Sequence, residues 1–471
     1  MNIIHISAEC YPAAKVGGLA DVVGALPKYQ TLMGHSASVI MPFYHGKFRL
    51  ANEFAIIFSG FARLGHTNFA FNVLKLQKNT LGYELYFIDI PGLFDRENVY
   101  SYHDDTERFI TFQIATLNWL RERDETPDVV HCHDQHTGFI PFMMSKIREY
   151  QKFEQVPTVF TIHNGQYQGQ FGFDRLYYLP PFHSYFNGLI EWRNMINPLA
   201  SAIKCAWKVT TVSPSYLEEI SYSMNGMEDL LRAERGKSIG ILNGIDADVW
   251  NPETDPMLEK TFDVKSVDEG KKANKEWLCN QFGLDPAKPL FTFIGRLVGE
   301  KGADILPDVV YHVSHYKPGE QNILILGSGE KEVEAALLNQ ETLFKGNYCS
   351  YIGYNEKLSH LIYAGADFLL MPSRVEPCGL NQMYALRYGT IPIVRRTGGL
   401  RDTVIDLGDD GFGFCHDQCS TTDVTYSIHR AKLLYQDKKT FKKIRKQVMQ
   451  IDHSWNKAAA DYVELYQSLK I

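Results

Sequence analysis

Phe368-Leu369-Leu370-Met371-Pro372-Ser373-Arg374-Val375-Glu376-Pro377-Cys378-Gly379-Leu380 passes from an apolar strand into a loop and on to a glycine where a helix can open. In a parallel α/β sheet, strand ends and helix N-termini meet at the ligand crevice. The start of a helix also offers unpaired N–H groups that suit an anion. Glu376 stands in that junction, where a phosphate-bearing ligand would present its reactive end.

On either side of this stretch the same alternation fills the second half of the chain. Strands are predicted at 290–294, 323–326, 351–352, 368–371 and 391–394, with helices such as 357–364 and 381–388 between them. Strands alternating with helical stretches imply a parallel sheet with crossover helices. The first half opens in the same way. A strand at 2–7 leads through the loop 8–18 to a helix over 19–33, with Val22, Val23, Leu26, Tyr29 and Met33 at helical spacing. Further strands are predicted at 37–41, 127–131, 158–163 and 208–213, and a helix at 106–121. The region 54–90 reads as additional strands, including 69–76 and 83–90, joined by hairpin-like turns. The fold class is therefore α/β, with two open, doubly wound domains. The predicted organisation is a first domain over 1–243, a Pro- and Asp-rich linker over 244–256, a second domain over 257–453, and a tail helix over 454–471 that packs back on the first domain.

The totals agree with this. A chain of 471 residues is too long for one core and suits two large domains. A formal net charge of −7 argues against non-specific nucleic-acid binding, which needs a basic surface. The 28 Phe, 26 Tyr and 6 Trp are mostly core, with a surplus that suits stacking on sugars or a base. Eight irregularly spaced cysteines are no disulfide framework, and Cys10, Cys132, Cys205 and Cys349 read as small buried hydrophobes. No apolar run approaches the roughly 20 residues of a membrane span, and the first residues read as a strand rather than a signal peptide. The expected setting is a reducing cytoplasm.

Several constellations could carry chemistry. Lys15-Val16-Gly17-Gly18-Leu19-Ala20-Asp21 lies between the first strand and first helix. Its glycines let the backbone approach a ligand and Lys15 adds a point charge, although the spacing alone serves a flexible turn equally well. It matches neither a dinucleotide fingerprint nor a Walker loop. Gly295-Arg296-Leu297-Val298-Gly299-Glu300-Lys301-Gly302 follows the first strand of the second domain. There Arg296 could clamp a diphosphate bidentately and Lys301 could neutralise it. His131-Cys132-His133-Asp134-Gln135-His136 resembles a metal cluster by composition, but alternate side chains of a strand point to opposite faces. The reading adopted has Asp134 and one histidine facing the crevice; a metal-dependent hydrolase using His131, His133, Asp134 and His136 is the rival. His163 ends a strand before Asn164-Gly165 and is directed toward the same edge as Asp134. Asp246-Ala247-Asp248 reads as a turn rather than a cation site. Cys415-His416-Asp417-Gln418-Cys419 lacks a second half-site and reads as loop. Ser213 reads as a helix cap, with no nucleophile elbow around it.

Taken together these segments resemble the bacterial glycogen synthase and plant starch synthase family. The matching pieces are Lys15 to Asp21, His133-Asp134, Thr161-Ile162-His163-Asn164, Leu242-Asn243-Gly244-Ile245-Asp246, Arg296-Leu297 with Lys301-Gly302, Pro372 to Leu380, and Arg395-Arg396-Thr397-Gly398-Gly399-Leu400, in family order. The closing Ser454-Trp455 also fits. The resemblance implies two Rossmann-like domains facing across a cleft, the GT-B architecture. It implies transfer of glucose from ADP-glucose to the non-reducing end of an α-1,4-glucan such as glycogen, with retention and without a metal or other cofactor. Carried over residue by residue, it assigns Glu376, Lys301, Arg296, Asp134 and His163 to catalysis. It assigns Lys15, Gly17, Gly18, Asp21, Asn243, Tyr354, Gly379 and Leu380 to substrate or nucleotide binding. UDP-glucose or another nucleotide sugar stays open as donor, because base choice rests on shape and hydrogen bonding. Three positions depart from the family pattern: Gln135 stands where Trp is usual, Asn381 where Thr is usual, and Asn197-Pro198-Leu199-Ala200 where relatives carry a Lys-Ala-Gly run.

Overall fold

A computed structural model describes residues 1–316 and 319–469; the last two residues of the expected tail helix lie outside the described residues. Runs of Val, Ile, Leu, Phe and Thr form the strands, as their fit to a pleated buried surface requires. The first half contributes β1 (Asn2–Ile6), β2 (Ser36–Pro42), β3 (Phe54–Leu64), β4 (Thr67–Leu76), β5 (Glu84–Asp89), β6 (Val129–His133), β7 (Thr158–Ile162), β8 (Glu191–Trp192), β9 (Met195–Ile196), β10 (Lys208–Thr211) and β11 (Ser238–Gly240). All but the β8–β9 pair join one nine-stranded sheet in the order β11-β10-β7-β6-β1-β2-β5-β4-β3. Pairing is parallel from β11 to β5, then antiparallel through β4 and β3. Strand β1 lies between β2 and β6, so successive crossovers leave it in opposite directions. That reversal is a topological switch point, and the loops after β1 and β6 flank its crevice.

The second half contributes β12 (Leu290–Leu297), β13 (Asn322–Gly329), β14 (Tyr348–Ile352), β15 (Phe368–Met371), β16 (Ile391–Arg395) and β17 (Phe414–His416). Their order is β14-β13-β12-β15-β16-β17, parallel throughout. Here the switch point lies between β12 and β15. The loops that follow these two strands are the Arg296–Lys301 and Pro372–Leu380 segments. The apolar run Phe368–Met371 is thus the strand on one side of the second crevice.

The chain divides into two compact units, 1–244 together with Trp455 onward, and 245–454. In the first unit, the helix Trp455–Gln467 buries Trp455, Ala458, Ala459, Tyr462 and Tyr466 against Ile3, Val22, Leu26, Tyr29, Val129 and Ile241. Its apolar side chains recur at helical spacing and cover the helix Gly18–Leu32 and the sheet behind it.

The structure corrects several sequence expectations. Most of the segment expected as a linker, 244–256, is built into the second unit. Trp250 stacks at 3.9 Å on His360 and 3.8 Å on Tyr384, and Asp255 accepts hydrogen bonds of 2.6 Å from His360 and Tyr388. Its aromatic and carboxylate side chains found partners that a Pro- and Asp-rich composition does not reveal. Cys415 and His416, expected in a loop, belong to edge strand β17, paired with Val394 and Arg395. Cys205 and Cys349 are half-buried rather than core, and all eight cysteines are free.

Candidate active site

In the second unit the two switch-point loops are tied together by charge. Lys301 closes a 3-10 turn over Gly299–Lys301, and Gly302 follows it at φ 68°, a left-handed conformation that glycine adopts without strain. This geometry aims the Lys301 ammonium at Glu376, and Lys301 Nζ donates to Glu376 Oε1 at 2.7 Å. Ser373 donates to the other carboxylate oxygen at 2.9 Å. Glu376 is buried, and both of its oxygens are held by protein donors. The backbone carbonyl of Glu300 accepts from the N–H groups of Arg374 and Val375 at 2.9 and 3.3 Å, lacing the loops together. Gly399 N–H donates to the Glu376 carbonyl at 3.1 Å. Gly398, at φ 44°, sits where a Cβ would collide with that same carbonyl, so the approach of the two segments requires glycine.

Arg296 lies on β12 rather than in the loop, because the strand runs three residues past the predicted end. Its side chain is about half exposed and pairs with Glu300 at 3.6 Å. The guanidinium is thus half-exposed near the C-terminal end of β12, held by the residue that precedes Lys301. Gly379 (φ 73°) and Leu380 precede the helix Asn381–Arg387. Asn381, the residue that departs from the family pattern, turns its amide away to donate to the Ile294 carbonyl at 2.8 Å. Tyr354 is an exposed side chain in the connection between β14 and the next helix.

In the first unit the glycine loop is organised by a residue that motif reading passed over. Glu9, buried just after β1, accepts from Val16 N–H at 2.5 Å and Gly17 N–H at 3.0 Å through Oε2, and from the Tyr100 hydroxyl at 2.7 Å through Oε1. Burial raises the pKa of its carboxyl, opposed by those hydrogen bonds. Lys15 leaves this loop to pair with Asp21 at 2.7 Å, two sequence-predicted residues brought together. Gly17 and Gly18 open the helix Gly18–Leu32, where a Cβ would meet no atom; their backbone faces open space.

Asp134 and His163 also meet, at the ends of adjacent strands β6 and β7. Asp134 Oδ1 accepts from the N–H groups of His163 at 2.7 Å and Asn164 at 3.4 Å. Asp134 holds φ 56°, a conformation that costs a non-glycine residue about 1–3 kcal/mol. The hydrogen bond from its N–H to the Thr161 carbonyl at 3.0 Å helps hold it there. Burial pushes its carboxyl up to about 7 against those N–H donors, whereas burial lowers His163 to about 3. Asn243 is buried, and its Oδ1 has no hydrogen-bond partner among the described residues.

The rival hydrolase site does not assemble. His131 and His133 point to one face of β6, next to His5, with ring nitrogens of the three within 4.8 Å of one another. His136 turns elsewhere, stacked at 4.6 Å on Tyr100 and packed at 4.5 Å against Phe109. Both ring nitrogens of His5, His131 and His133 are engaged in hydrogen bonds. Asp246 accepts from Asp248 N–H at 3.0 Å, the local turn that was expected. Ser213 accepts from Tyr216 N–H at 3.2 Å as a cap. Two of the departures meet in space: Gln135 and Pro198 both crowd Gly169, which has φ 69°. Asn197 caps the following helix through Ala200 N–H at 2.9 Å.

Comparison with known proteins gives this arrangement its context. A family model described as starch synthase catalytic domain matches residues 2–233, and one described as glycosyl transferases group 1 matches residues 275–448. A glycogen synthase of Flavobacterium johnsoniae is 58% identical over 466 residues, covering 99% of this chain and 98% of its own. A glycogen synthase of Streptococcus sanguinis is 39% identical, with both chains covered in full. The solved catalytic domain of starch synthase IV from Arabidopsis thaliana, bound to ADP and acarbose, matches with a TM-score of 0.91 at 33% identity over 99% of each chain. Among the described residues no helix is long and apolar enough to cross a membrane. Two parallel-rich α/β units with paired switch-point loops, matched end to end by these relatives, make this a GT-B glycosyltransferase, and the chain belongs to the glycogen synthase and starch synthase family.

Proposed function

We propose that this protein transfers glucose from ADP-glucose to the non-reducing end of an α-1,4-glucan, with retention at the anomeric carbon. The observation that carries the reading is the Lys301–Glu376 pair at 2.7 Å, at the crevice between β12 and β15, with Arg296 paired to the neighbouring Glu300. Breaking a glycosidic bond to a diphosphate moves negative charge onto the leaving group. Fixed cations stabilise that charge without reorganisation, and in many enzymes no other effect lowers the barrier as much. Arg296 and Lys301 are assigned to the diphosphate, with Gly379 and Leu380 N–H groups as further donors to it. Lys15, Gly17, Gly18 and Asp21 are assigned to donor binding from the glycine loop, and Asn243 and Tyr354 to the nucleotide sugar.

Glu376 is assigned to balance developing positive charge on the sugar. The double displacement of retaining glycosidases uses two carboxylates about 5 Å apart. The route proposed instead lets the departing phosphate oxygen take the acceptor hydroxyl proton on the same face. In that step the C1–O bond to phosphate breaks, the C1–O bond to the acceptor forms, and the proton leaves with the nucleoside diphosphate. Asp134 and His163 orient sugar hydroxyls. The ADP-bound starch synthase relative supports the adenine donor over UDP-glucose.

The test is release of nucleoside diphosphate with glycogen present and ADP-glucose, UDP-glucose or neither supplied, with and without a chelator. ADP released from ADP-glucose and insensitive to the chelator is the expected result. Release only from UDP-glucose reassigns the donor. Release from neither, or loss of turnover on chelation, sinks the reading.

A further inference from the structure

Behind His163 runs a continuous file of buried polar side chains that the transfer step does not use. Strands β1, β6, β7 and β10 stand side by side, and their register aligns His5 with His131, His133 with Thr161, and Thr161 with Thr210. His131 and His133 are two apart on β6 and share a face. Gln30 and Tyr466, from the helices Gly18–Leu32 and Trp455–Gln467, cover that face. His5, Gln30, His131, His133, Thr161, Thr210 and Tyr466 are all fully buried.

The contacts form one line. His163 Nε2 meets His133 Nδ1 at 3.0 Å, His133 Nε2 meets His5 Nδ1 at 3.0 Å, and His5 Nε2 meets Gln30 Oε1 at 2.8 Å. Gln30 Nε2 donates to the Tyr466 hydroxyl at 3.4 Å, which meets His131 Nδ1 at 2.7 Å. His131 Nε2 meets Thr161 Oγ1 at 2.6 Å, and Thr161 meets Thr210 at 2.5 Å.

A neutral imidazole carries one N–H, so each ring hands on the sense of the bond it receives. Burial keeps the rings neutral, lowering His5 to about 4, His163 to about 3, and His131 and His133 well below the ordinary value. The Gln30 amide decides the sense, because its oxygen faces His5 and its nitrogen faces Tyr466. His5 must then donate from Nε2 and accept at Nδ1. His133 and His163 repeat that pattern, while Tyr466 donates to His131, His131 to Thr161, and Thr161 to Thr210. His163 Nδ1 makes no hydrogen bond among the described residues and keeps its lone pair.

We propose that Gln30, His5 and His133 are positioning residues that hold His163 as the Nε2–H tautomer, leaving Nδ1 as an acceptor for a sugar hydroxyl, and that Tyr466 on the C-terminal helix anchors the far end of the file. This rests on the placement of His163 at the sugar site. A file of this kind also explains why four histidines can be buried together without charge: every ring nitrogen but one has a protein partner.

Histidine 15N spectroscopy of the full-length protein reads each tautomer, with the His163 signals assigned by their loss in His163→Gln. The expected wild-type spectrum has protonated Nε2 and unprotonated Nδ1 at His163, His133 and His5. An Nδ1–H tautomer at His163 overturns the proposal, since the file would then run in the opposite sense. Gln30→Met keeps the bulk but removes both the acceptor and the donor. It is expected to let His163 populate both tautomers and to lower kcat about tenfold, the scale of a misdirected contact, with donor KM within about twofold. An unchanged His163 tautomer in Gln30→Met overturns the role of Gln30. Tyr466→Phe, which loses one hydroxyl, is the variant to use should Gln30→Met not fold; it is expected to mix the tautomers, and a pure Nε2–H state there removes Tyr466 as anchor. A tautomer shift with unaltered kcat leaves the file standing and overturns the sugar-site role of His163, so the two readings fail separately.

Discussion

At the switch point of the second unit, Lys301 and Glu376 meet as an ion pair, and Arg296 pairs with Glu300, the residue before Lys301. Beside the switch point of the first unit, burial disfavours charge: the Asp134 carboxyl is pushed up to about 7 and His163 down to about 3. The second site takes a strand end from either side of its reversal in strand order, whereas Asp134 and His163 follow β6 and β7, neighbours on one side of theirs, with the loop after β1 on the other. Under the proposed function, the difference lies in what each would hold. A diphosphate leaving group needs permanent positive charge that does not depend on pH. Sugar hydroxyls need directed acceptors and donors, which a neutral imidazole and a carboxyl that ionises only near neutrality supply at lower desolvation cost than permanent charges.

Removing a permanent charge puts the contrast to its hardest trial. Lys301→Ala is expected to lower kcat by about 10²–10³, the cost of deleting one preorganised contact to a developing anion. Glu376→Ala is expected to fall comparably in steady-state assays. Turnover within tenfold of wild type in both variants would remove the ion pair from the chemistry. Stability gives a second readout. Lys301→Ala leaves Glu376 buried with Ser373 as its remaining side-chain donor. A stranded buried charge costs more than the loss of the whole pair. The double variant Lys301→Ala with Glu376→Ala should therefore melt higher than Lys301→Ala alone.

The neutral site should answer to pH instead. Below about 7 the Asp134 carboxyl is protonated in the folded protein, so it cannot accept from a hydroxyl through both oxygens. kcat/KM is expected to rise as pH increases through about 7, roughly tenfold per unit on the acid side, and Asp134→Asn should lose that limb. A wild-type profile flat between pH 6 and 8 would contradict the assignment. Stability has the opposite leaning. Asp134, raised on folding, stabilises the fold at low pH and loses that contribution as pH rises from the ordinary carboxylate range to about 7. His5, His163 and His136, lowered to about 4, 3 and 3, contribute stability above the ordinary histidine range, lost as pH falls from about 6.5 toward those values. His131 and His133 add to the same side. The histidines outnumber the carboxyl, so the melting temperature should fall between pH 7 and pH 5, and more steeply in Asp134→Asn.

A smaller effect is expected where the glycine loop is anchored rather than where it reacts. Glu9→Gln keeps the shape of the side chain but replaces the charged acceptor that two loop N–H groups share. Losing that preference should raise donor KM about fivefold with kcat little changed, about 1 kcal/mol, since the amide oxygen of Gln still accepts. A change confined to kcat would place Glu9 in the chemistry itself.

Glu9 also marks how far the sequence could be read. The βα alternation, the loops at the strand ends, and the direction of Asp134 and His163 toward one edge follow from strand ends and loop motifs, whereas the pairings of Lys15 with Asp21 and of Lys301 with Glu376 emerge only in the structure. Glu9 lies seven and eight residues before its partners, with no motif spacing to announce it. The histidine file was harder still. His5 meets His133 128 positions away, and Gln30 meets Tyr466 436 positions away. Such contacts depend on which strands become neighbours, and that order is a property of the whole sheet. The aromatic seat of Trp250 was hidden for the same reason, since Pro and Asp beside it signalled only a turn.

The weakest prediction tests a residue that looks functional and is bonded elsewhere. Asn381 stands where Thr is usual in the family, next to Gly379 and Leu380. Its amide, however, donates to the Ile294 carbonyl on β12 and so ties the helix Asn381–Arg387 to the strand. A shorter Thr side chain has no N–H to reach that carbonyl. Asn381→Thr should therefore cost about 0.5–1.5 kcal/mol of stability, the worth of one neutral hydrogen bond, and leave donor KM within about twofold. Differential scanning calorimetry and donor titration read the two separately. If the substitution instead strengthens donor binding several-fold with no loss of stability, the side chain at this position faces the phosphates. The second switch point would then use a neutral directed donor alongside its charges, and the contrast between the two crevices would be one of proportion rather than kind.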